Sequence, residues 1–294
     1  MSTQQEIRNR IATVQSTRKI TSAMKMVAAS RLRKVQNQII HRRQYAGVLK
    51  QVLDEVITAP DEQARNVYVA PRSVKDVIVI SIGSNRGLCG HYNTFLIKHT
   101  LREVQKQKDA GNRVRVMPIG KKPAAFFEKH EIGLLAGNHD IPEKVSYETA
   151  AAFAEHIMEL YLKEHCGRIL LVYNRFHNAV VHTLTTEQVL PVKPDEMTTQ
   201  TGNNQHYRDP SVIMEPTPDE VVDYLTGQFI AHNVYRILLD ASASEHGSRM
   251  TAMHEATDNA DELIRSLTLT YNKVRQASVT REIMDVMGGV GGGN

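Results

Sequence analysis

The sequence predicts an α/β domain set between two long helices that pair with each other as an antiparallel coiled coil. Three observations carry this. Each end of the chain holds a long run rich in helix formers with almost no proline or glycine, both runs carry an apolar seam spaced by threes and fours, and the middle alternates β-rich runs with helical ones. From Ile7 to Ala59 there is no proline and one glycine, Gly47, and Pro60 then ends the pattern. A 3,4-spaced count from Ile7 gives fifteen seam positions, eleven of them apolar: Ile7, Ile11, Val14, Ala28, Leu32, Val35, Ile39, Ala46, Leu49, Leu53 and Val56. Arg18, Thr21, Lys25 and Arg42 are the exceptions. Such a helix is about 80 Å long at about 1.5 Å per residue, too long to be stable without a partner helix.

The C-terminal run supplies the partner. After Pro216 and Pro218, residues Asp219 to Met287 contain no proline and only Gly227 and Gly247. Met250, Met253, Ala256, Ala260, Ile264, Leu267, Tyr271 and Val274 form its seam. Pairing the chain ends gives an antiparallel coiled coil with the left-handed twist of a seven-residue period, and Ala28, Ala29, Ala252, Ala256 and Ala260 allow close approach. The glycine-rich tail after Met287 is expected to fray.

Between the helices, strands are expected at Val74 to Ile82, Val114 to Ile119, Arg168 to Tyr173 and Val180 to Val192. Helices are expected at Asn93 to Gln107 and at Ser146 to His165, the latter with Ser146 as N-cap and Glu148 and Glu155 near its start. This alternation argues a mainly parallel sheet whose last strands form an antiparallel hairpin. A polar linker, Lys193 to Pro218, returns the chain to the second long helix. The division is thus 1–60 for the first helix, 61–210 for the α/β domain with its linker, and 211–294 for the second helix.

Composition narrows the function. Of 294 residues, 41% are apolar and 23% charged, a globular balance, and no run of about 18 apolar residues exists to span a bilayer. The polar N-terminus, with Glu6, lacks the features of a secretory or transit segment, so a cytosolic bacterial chain is expected. Cys89 and Cys166 are the only cysteines and suggest neither a zinc site nor a disulfide framework. The net charge of +4 hides an asymmetry: residues 1–50 hold eleven Lys or Arg and one acid, Glu6. That excess seeks an acidic protein surface or a nucleic acid.

Motifs for catalysis are weak. Gly83-Ser84-Asn85-Arg86-Gly87-Leu88-Cys89-Gly90 follows a strand, yet His91 and Tyr92 stand where a phosphate loop needs Lys and Ser or Thr, and the close glycine pair of a dinucleotide loop is missing. A tight turn between sheet and helix is the better reading. The histidines, including His232, His246 and His254, form no metal-ligand spacing, and no serine or cysteine has the setting of a nucleophile. No cofactor is expected.

Three stretches of residues carry a resemblance. Ile7-Arg8-Asn9-Arg10-Ile11, Thr17-Arg18-Lys19-Ile20-Thr21, Ala23-Met24-Lys25-Met26-Val27-Ala28-Ala29 and Arg33 make up the first, and the Gly83 to Gly90 loop the second. The third holds Ser244-Glu245, Arg249-Met250-Thr251-Ala252-Met253, Ala256-Thr257-Asp258-Asn259-Ala260 and Tyr271 to Ile283. Together they resemble the gamma subunit family of F-type ATP synthases over essentially the full chain. The resemblance implies a central Rossmann-like α/β domain and a non-catalytic rotor shaft. Its partners would be the alpha and beta subunits around the coiled coil, the epsilon subunit and the proton-driven membrane c-ring. It implies a peripheral place on the cytoplasmic face of the bacterial inner membrane.

By the same resemblance Met24, Lys25, Arg249, Gln276, Thr280 and Glu282 serve the torque-bearing contact with beta, and Arg8, Arg10, Arg18, Lys19 and Arg33 form a basic face toward its acidic loops. Asn85 stands where that family usually has Asp, His91 where glycine is common, and His246-Gly247 replaces a more helix-friendly pair. Gly247 costs about 1 kcal/mol against Ala in a helix interior and marks a place for a bend. The competing expectations are a basic coiled-coil protein that binds nucleic acid and, third, a nucleotide-using α/β enzyme.

Overall fold

The computed structural model describes residues 4–56, 66–70, 72–130, 133–135, 145–164, 166–192 and 217–290. The stop at Pro60, the linker at 193–216 and the last four residues lie outside these. In chain order the elements are α1 (Gln4–Val56), β1 (Asp76–Ile82), α2 (Tyr92–Asp109), β2 (Arg113–Ile119), α3 (Lys121–Lys129), α4 (Tyr147–Lys163), β3 (Arg168–Phe176), β4 (His182–Leu190) and α5 (Pro218–Val290). They fall into two compact units, residues 1–29 with 249–294, and residues 30–248.

The first unit pairs the chain ends. Gln4 Nε2 donates to Tyr271 Oη at 3.2 Å, Arg18 meets Asp261 at 2.5 Å, and the hydroxyls of Thr21 and Thr257 lie 2.8 Å apart. As residue numbers rise on one helix they fall on the other, which makes the pair antiparallel. Ile7, Thr21, Ala28, Met253, Thr257 and Ala260 are buried along its seam. Two of the polar exceptions therefore sit in the seam because the partner helix answers them with a hydroxyl and a carboxylate. Matched polar pairs of this kind hold one register at some cost in stability.

The second unit is built on a four-stranded sheet of order β2-β1-β3-β4. β1 runs parallel to β2 and β3, and β3 pairs antiparallel with β4. β1 and β3 read as near-continuous apolar runs because they lie in the centre of the sheet, and Ile78, Ile80, Ile82, Ile169 and Leu171 are fully buried. Leu96 and Val104 of α2, with Phe127 of α3, close the core over Val79, Val116 and Val172. Ser146 caps α4 in a capping box, its Oγ accepting from Thr149 N at 3.3 Å while Thr149 Oγ1 accepts from Ser146 N at 3.1 Å. Thr217 caps α5, accepting from Glu220 N at 3.4 Å ahead of Pro218 in the first turn.

Three expectations change. A short helix, α3, that was not among the expected elements occupies Lys121–Lys129, with Pro123 in the first turn, which tolerates it. The last strand begins at His182, because Asn178 Oδ1 accepts from the amides of Val180 and Val181 at 3.0 and 2.7 Å and folds both into the turn. The final helix runs to Val290, through Gly288 and Gly289.

Candidate functional site

The coiled coil carries the candidate surface. Its seam is closed, yet large apolar side chains face outward: Ile20 is 57% exposed, Met26 62%, Val27 55%, Ile283 54% and Met284 66%. Leu263, Leu269 and Val279 are exposed as well, at 46%, 65% and 48%, so apolar side chains face outward along much of the helix pair, where the paired seam does not cover them. The sequence reading missed them because they fall off the seam positions; that same off-seam placement was the available signal.

Arg8, Arg10, Lys19 and Arg33 are exposed, as is Arg18 on the side away from Asp261. Met24, Lys25 and Arg249 are half-buried, whereas Gln276, Thr280 and Glu282 are exposed. Thr280 Oγ1 donates to the Gln276 carbonyl at 2.9 Å, and Ser278 Oγ donates to Glu282 at 3.3 Å. The register set by the Thr21–Thr257 pair brings Met24 and Lys25 to the height of residues near 253, close to Arg249. Gln276 lies beyond Gln4, more than twenty residues further along the helix and so roughly 30 Å away. The predicted contact residues thus form two collars: Met24, Lys25 and Arg249 with Ile20, Met26 and Val27, then Gln276, Thr280 and Glu282 with Ile283 and Met284.

In the second unit the glycine loop folds on itself. Ser84 N donates to Asn93 Oδ1 at 3.0 Å, Asn93 Nδ2 donates to Ser84 Oγ at 2.8 Å, and Ser84 Oγ donates to the Arg86 carbonyl at 2.7 Å. Leu88 and Gly90 take positive φ, at 62° and 58°. The Ser84 amide is therefore spent within the loop rather than offered to a phosphate. A Cβ on Gly83 would lie 2.8 Å from Pro123, so the glycine there allows α3 to pack against the strand end. Asn85 keeps a role without a charge: its Oδ1 accepts from Lys121 N at 3.1 Å at the start of α3. His91 stacks on Phe95 at 5.3 Å.

A polar network that the sequence did not announce ties α5 to the hairpin. Tyr173 Oη donates to Glu187 at 2.8 Å, Arg236 donates to Tyr173 Oη at 3.1 Å and to Asn233 Oδ1 at 2.8 Å, and Asn233 Nδ2 donates to Glu187 at 3.1 Å. Arg236 also pairs directly with Glu187. Burial opposes ionisation of both partners, but their mutual attraction and hydrogen bonds outweigh it, raising the Arg236 pKa and lowering that of Glu187. Burial raises Asp240, despite Arg236 3.6 Å away. Further along, Ser244 Oγ donates to the Asn174 carbonyl at 2.9 Å and Ser248 Oγ lies 3.1 Å from His182 Nε2. Burial pushes the Cys166 thiol up to about 11, so it is a packed rather than a reactive cysteine.

Among the described residues no group of three or more His, Cys, Asp or Glu is placed to hold a metal, and no helix is long and apolar enough to cross a membrane. The chain is of the class that joins a long antiparallel helix pair to an α/β unit.

Sequence comparison makes the class specific. The profile described as ATP synthase matches residues 3–291. The "ATP synthase gamma chain" of Christiangramia forsetii is 39% identical over 289 residues, covering 98% of both chains, and that of Flavobacterium johnsoniae is 40% identical over 295 residues with the same coverage. The chain belongs to the ATP synthase gamma chain family. Among solved structures it resembles a chain of the central stalk and c-ring of Tetrahymena thermophila mitochondrial ATP synthase. That match has a TM-score of 0.60 at 26% identity and covers 81% of this chain and 99% of that one. A chain of the Euglena gracilis mitochondrial ATP synthase in rotational state 3 shares the fold, at TM-score 0.66 and 20% identity, covering 98% of this chain and 94% of that one.

Proposed function

We propose that this chain is the central stalk of a rotary, proton-translocating ATP synthase on the cytoplasmic face of the bacterial inner membrane. Its coiled coil turns within a ring of alternating alpha and beta subunits, and its α/β unit rests with epsilon on the membrane c-ring. The bond-making chemistry belongs to the beta subunits. The shaft acts on them by mechanical allostery: a surface that contacts each beta subunit differently shifts each toward a different conformation, and only a difference in contact free energy can do so.

The observation that carries this reading is the helix pair that buries a seam of its own and still displays large apolar residues outward along much of its length. Met24, Lys25 and Arg249 form the contact with beta at one level and Gln276, Thr280 and Glu282 at the other. Arg8, Arg10, Lys19 and Arg33 steer toward acidic loops of the ring, with Arg18 divided between that role and Asp261.

The test is magnesium-dependent ATP hydrolysis by the cognate alpha and beta subunits, with and without this chain, beside the chain alone. Stimulation only in the full mixture supports the shaft. A folded chain that leaves the rate unchanged sinks it, and turnover by the chain alone would move catalysis into this subunit.

A further inference from the structure

The fourth polar exception in the seam of α1, Arg42, lies beyond the coiled coil and faces a different environment. It borders a cavity of about 790 Å³ within the second unit, lined by α1, α5, β3 and β4. Ile39, Leu49, Phe229 and Leu239 give the cavity an apolar wall, Arg42, Arg175 and Arg236 give it three cations, and Glu187 and Asp240 give it two acids, of which Glu187 is shared by Arg236 and, at 3.7 Å, Arg175.

These cations differ. Arg236 is spent on Asn233, Tyr173 and Glu187. Arg42 lies over the Tyr235 ring, 4.5 Å from its centroid, and its Nε and Nη1 are buried without a hydrogen-bond partner. A guanidinium has only donors, so two unpaired buried nitrogens define a place for an acceptor. Burial, then the nearby Arg236, pushes its pKa down to about 10, a fall that Asp240 offsets only in part, and the group stays charged at neutral pH. The volume is that of a small-ligand pocket, and its lining sets an apolar patch beside a larger number of polar and charged side chains.

We propose that this cavity is a binding site for a carboxylate carried on an apolar body, with Arg42 as its anchor. The guanidinium nitrogens donate to the carboxylate oxygens, the Tyr235 face holds the guanidinium plane, and Phe229 and Leu239 cover the apolar part. Such a group can arrive as a free small molecule or as a glutamate side chain flanked by apolar residues on a neighbouring protein.

The experiment follows the Arg42 Nε–Hε resonance of the full chain during titration with 3-phenylpropionate, with its neutral amide, with inorganic phosphate, and with the blocked tripeptide acetyl-Leu-Glu-Leu-amide. We expect a saturable shift with at least one of the two carboxylates and none with the neutral amide. Affinity should fall at least tenfold in Arg42→Gln, read from neighbouring amide signals, and be partly regained in Arg42→Lys. Tighter binding of the tripeptide assigns the site to a protein partner, and tighter binding of phenylpropionate assigns it to a free ligand. No saturable shift with either carboxylate overturns the proposal, as does an equal response to the amide. Phosphate binding as tightly as the better carboxylate overturns the assignment of ligand class. Because the wild-type titrations decide these outcomes, misfolding of either variant does not shelter the proposal.

Discussion

Gly247 sits inside an unbroken helix, and the reason is not flexibility. A Cβ built there would lie 2.9 Å from the carbonyl oxygen of Ala179, at the tip of the β3–β4 hairpin. Replacing an interior helical glycine by alanine ordinarily stabilises by about 1 kcal/mol. Here the backbone carbonyl must retreat. The tip is held by the Asn178 turn and by the 3.1 Å contact between Ser248 and His182, so the retreat strains both. Overpacking against a fixed neighbour costs about 1–3 kcal/mol, so Gly247→Ala should come out destabilising by roughly 0 to 2 kcal/mol once the propensity gain is subtracted. Gly227 is the control on the same helix: a Cβ there meets nothing within 4 Å. Thermal unfolding followed by circular dichroism should place Gly247→Ala a few degrees below wild type, about 2–4 °C per kcal/mol, and Gly227→Ala above it. Equal stabilisation by both substitutions would refute the reasoning, since the hairpin would then yield at no cost.

Other perturbations test separate parts of the molecule. Glu187→Gln removes the nearer of the two carboxylates that face Arg236, leaving Asp240 at 3.6 Å, and should cost about 1–3 kcal/mol, below the full cost of a wholly buried pair because Arg236 is part-exposed and keeps one partner, measurable by denaturant unfolding. Thr21→Val removes the cross-helix bond while Thr257 keeps its own bond to the Met253 carbonyl at 2.7 Å, so the loss should stay near about 1 kcal/mol by the same method. His232, stacked on Tyr147, has its pKa pushed down to about 4 by burial and then by Arg42. The unfolded imidazole takes up its proton near 6.5, so stability is full above that pH and is lost as pH falls from 6.5 toward 4. The part due to this half-exposed residue is on the order of 1–2 kcal/mol after solvent screening, and His232→Gln should flatten the pH profile by that amount. Gln276→Leu and Arg249→Ala should each lower coupled ATP synthesis in the assembled complex while leaving the melting temperature of the chain within a few degrees; loss of folded chain instead would sink their contact role.

The long helices are legible from sequence because a seam of Ile, Val, Leu, Met and Ala repeats over many turns, and a sustained period is a strong signal. Even the polar interruptions at Arg18 and Thr21 are visible in sequence, although their partners Asp261 and Thr257 are not, since only the folded register brings together residues 236 or more positions apart. Central strands are legible as continuous β-branched runs. α3 is not, being nine residues long with a proline in it, and its placement depends on Gly83 and Gly120 rather than on its own pattern. The contact residues Met24 to Glu282 come from resemblance alone. What sequence could not supply is their sorting into two levels, because height along a helix pair is set by the register of two distant segments. The network of Tyr173, Glu187, Asn233 and Arg236 is hidden for the same reason, as its members come from three elements.

Pairing the first helix with the last has a consequence for how the chain is made. The bond between Thr21 and Thr257 spans 236 residues, and that between Gln4 and Tyr271 spans 267. At a synthesis rate of roughly 5–20 residues per second, about 10 to 50 seconds separate the appearance of one half of the coiled coil from the other. During that time the N-terminal segment has its seam open, with Ile7, Ala28 and the off-seam Met26 and Val27 all uncovered and a dense positive charge beside them. That charge would, on the ribosome, keep nascent chains apart from one another. The seam closes only when almost the whole polypeptide exists, so a truncated product cannot present the finished helix pair.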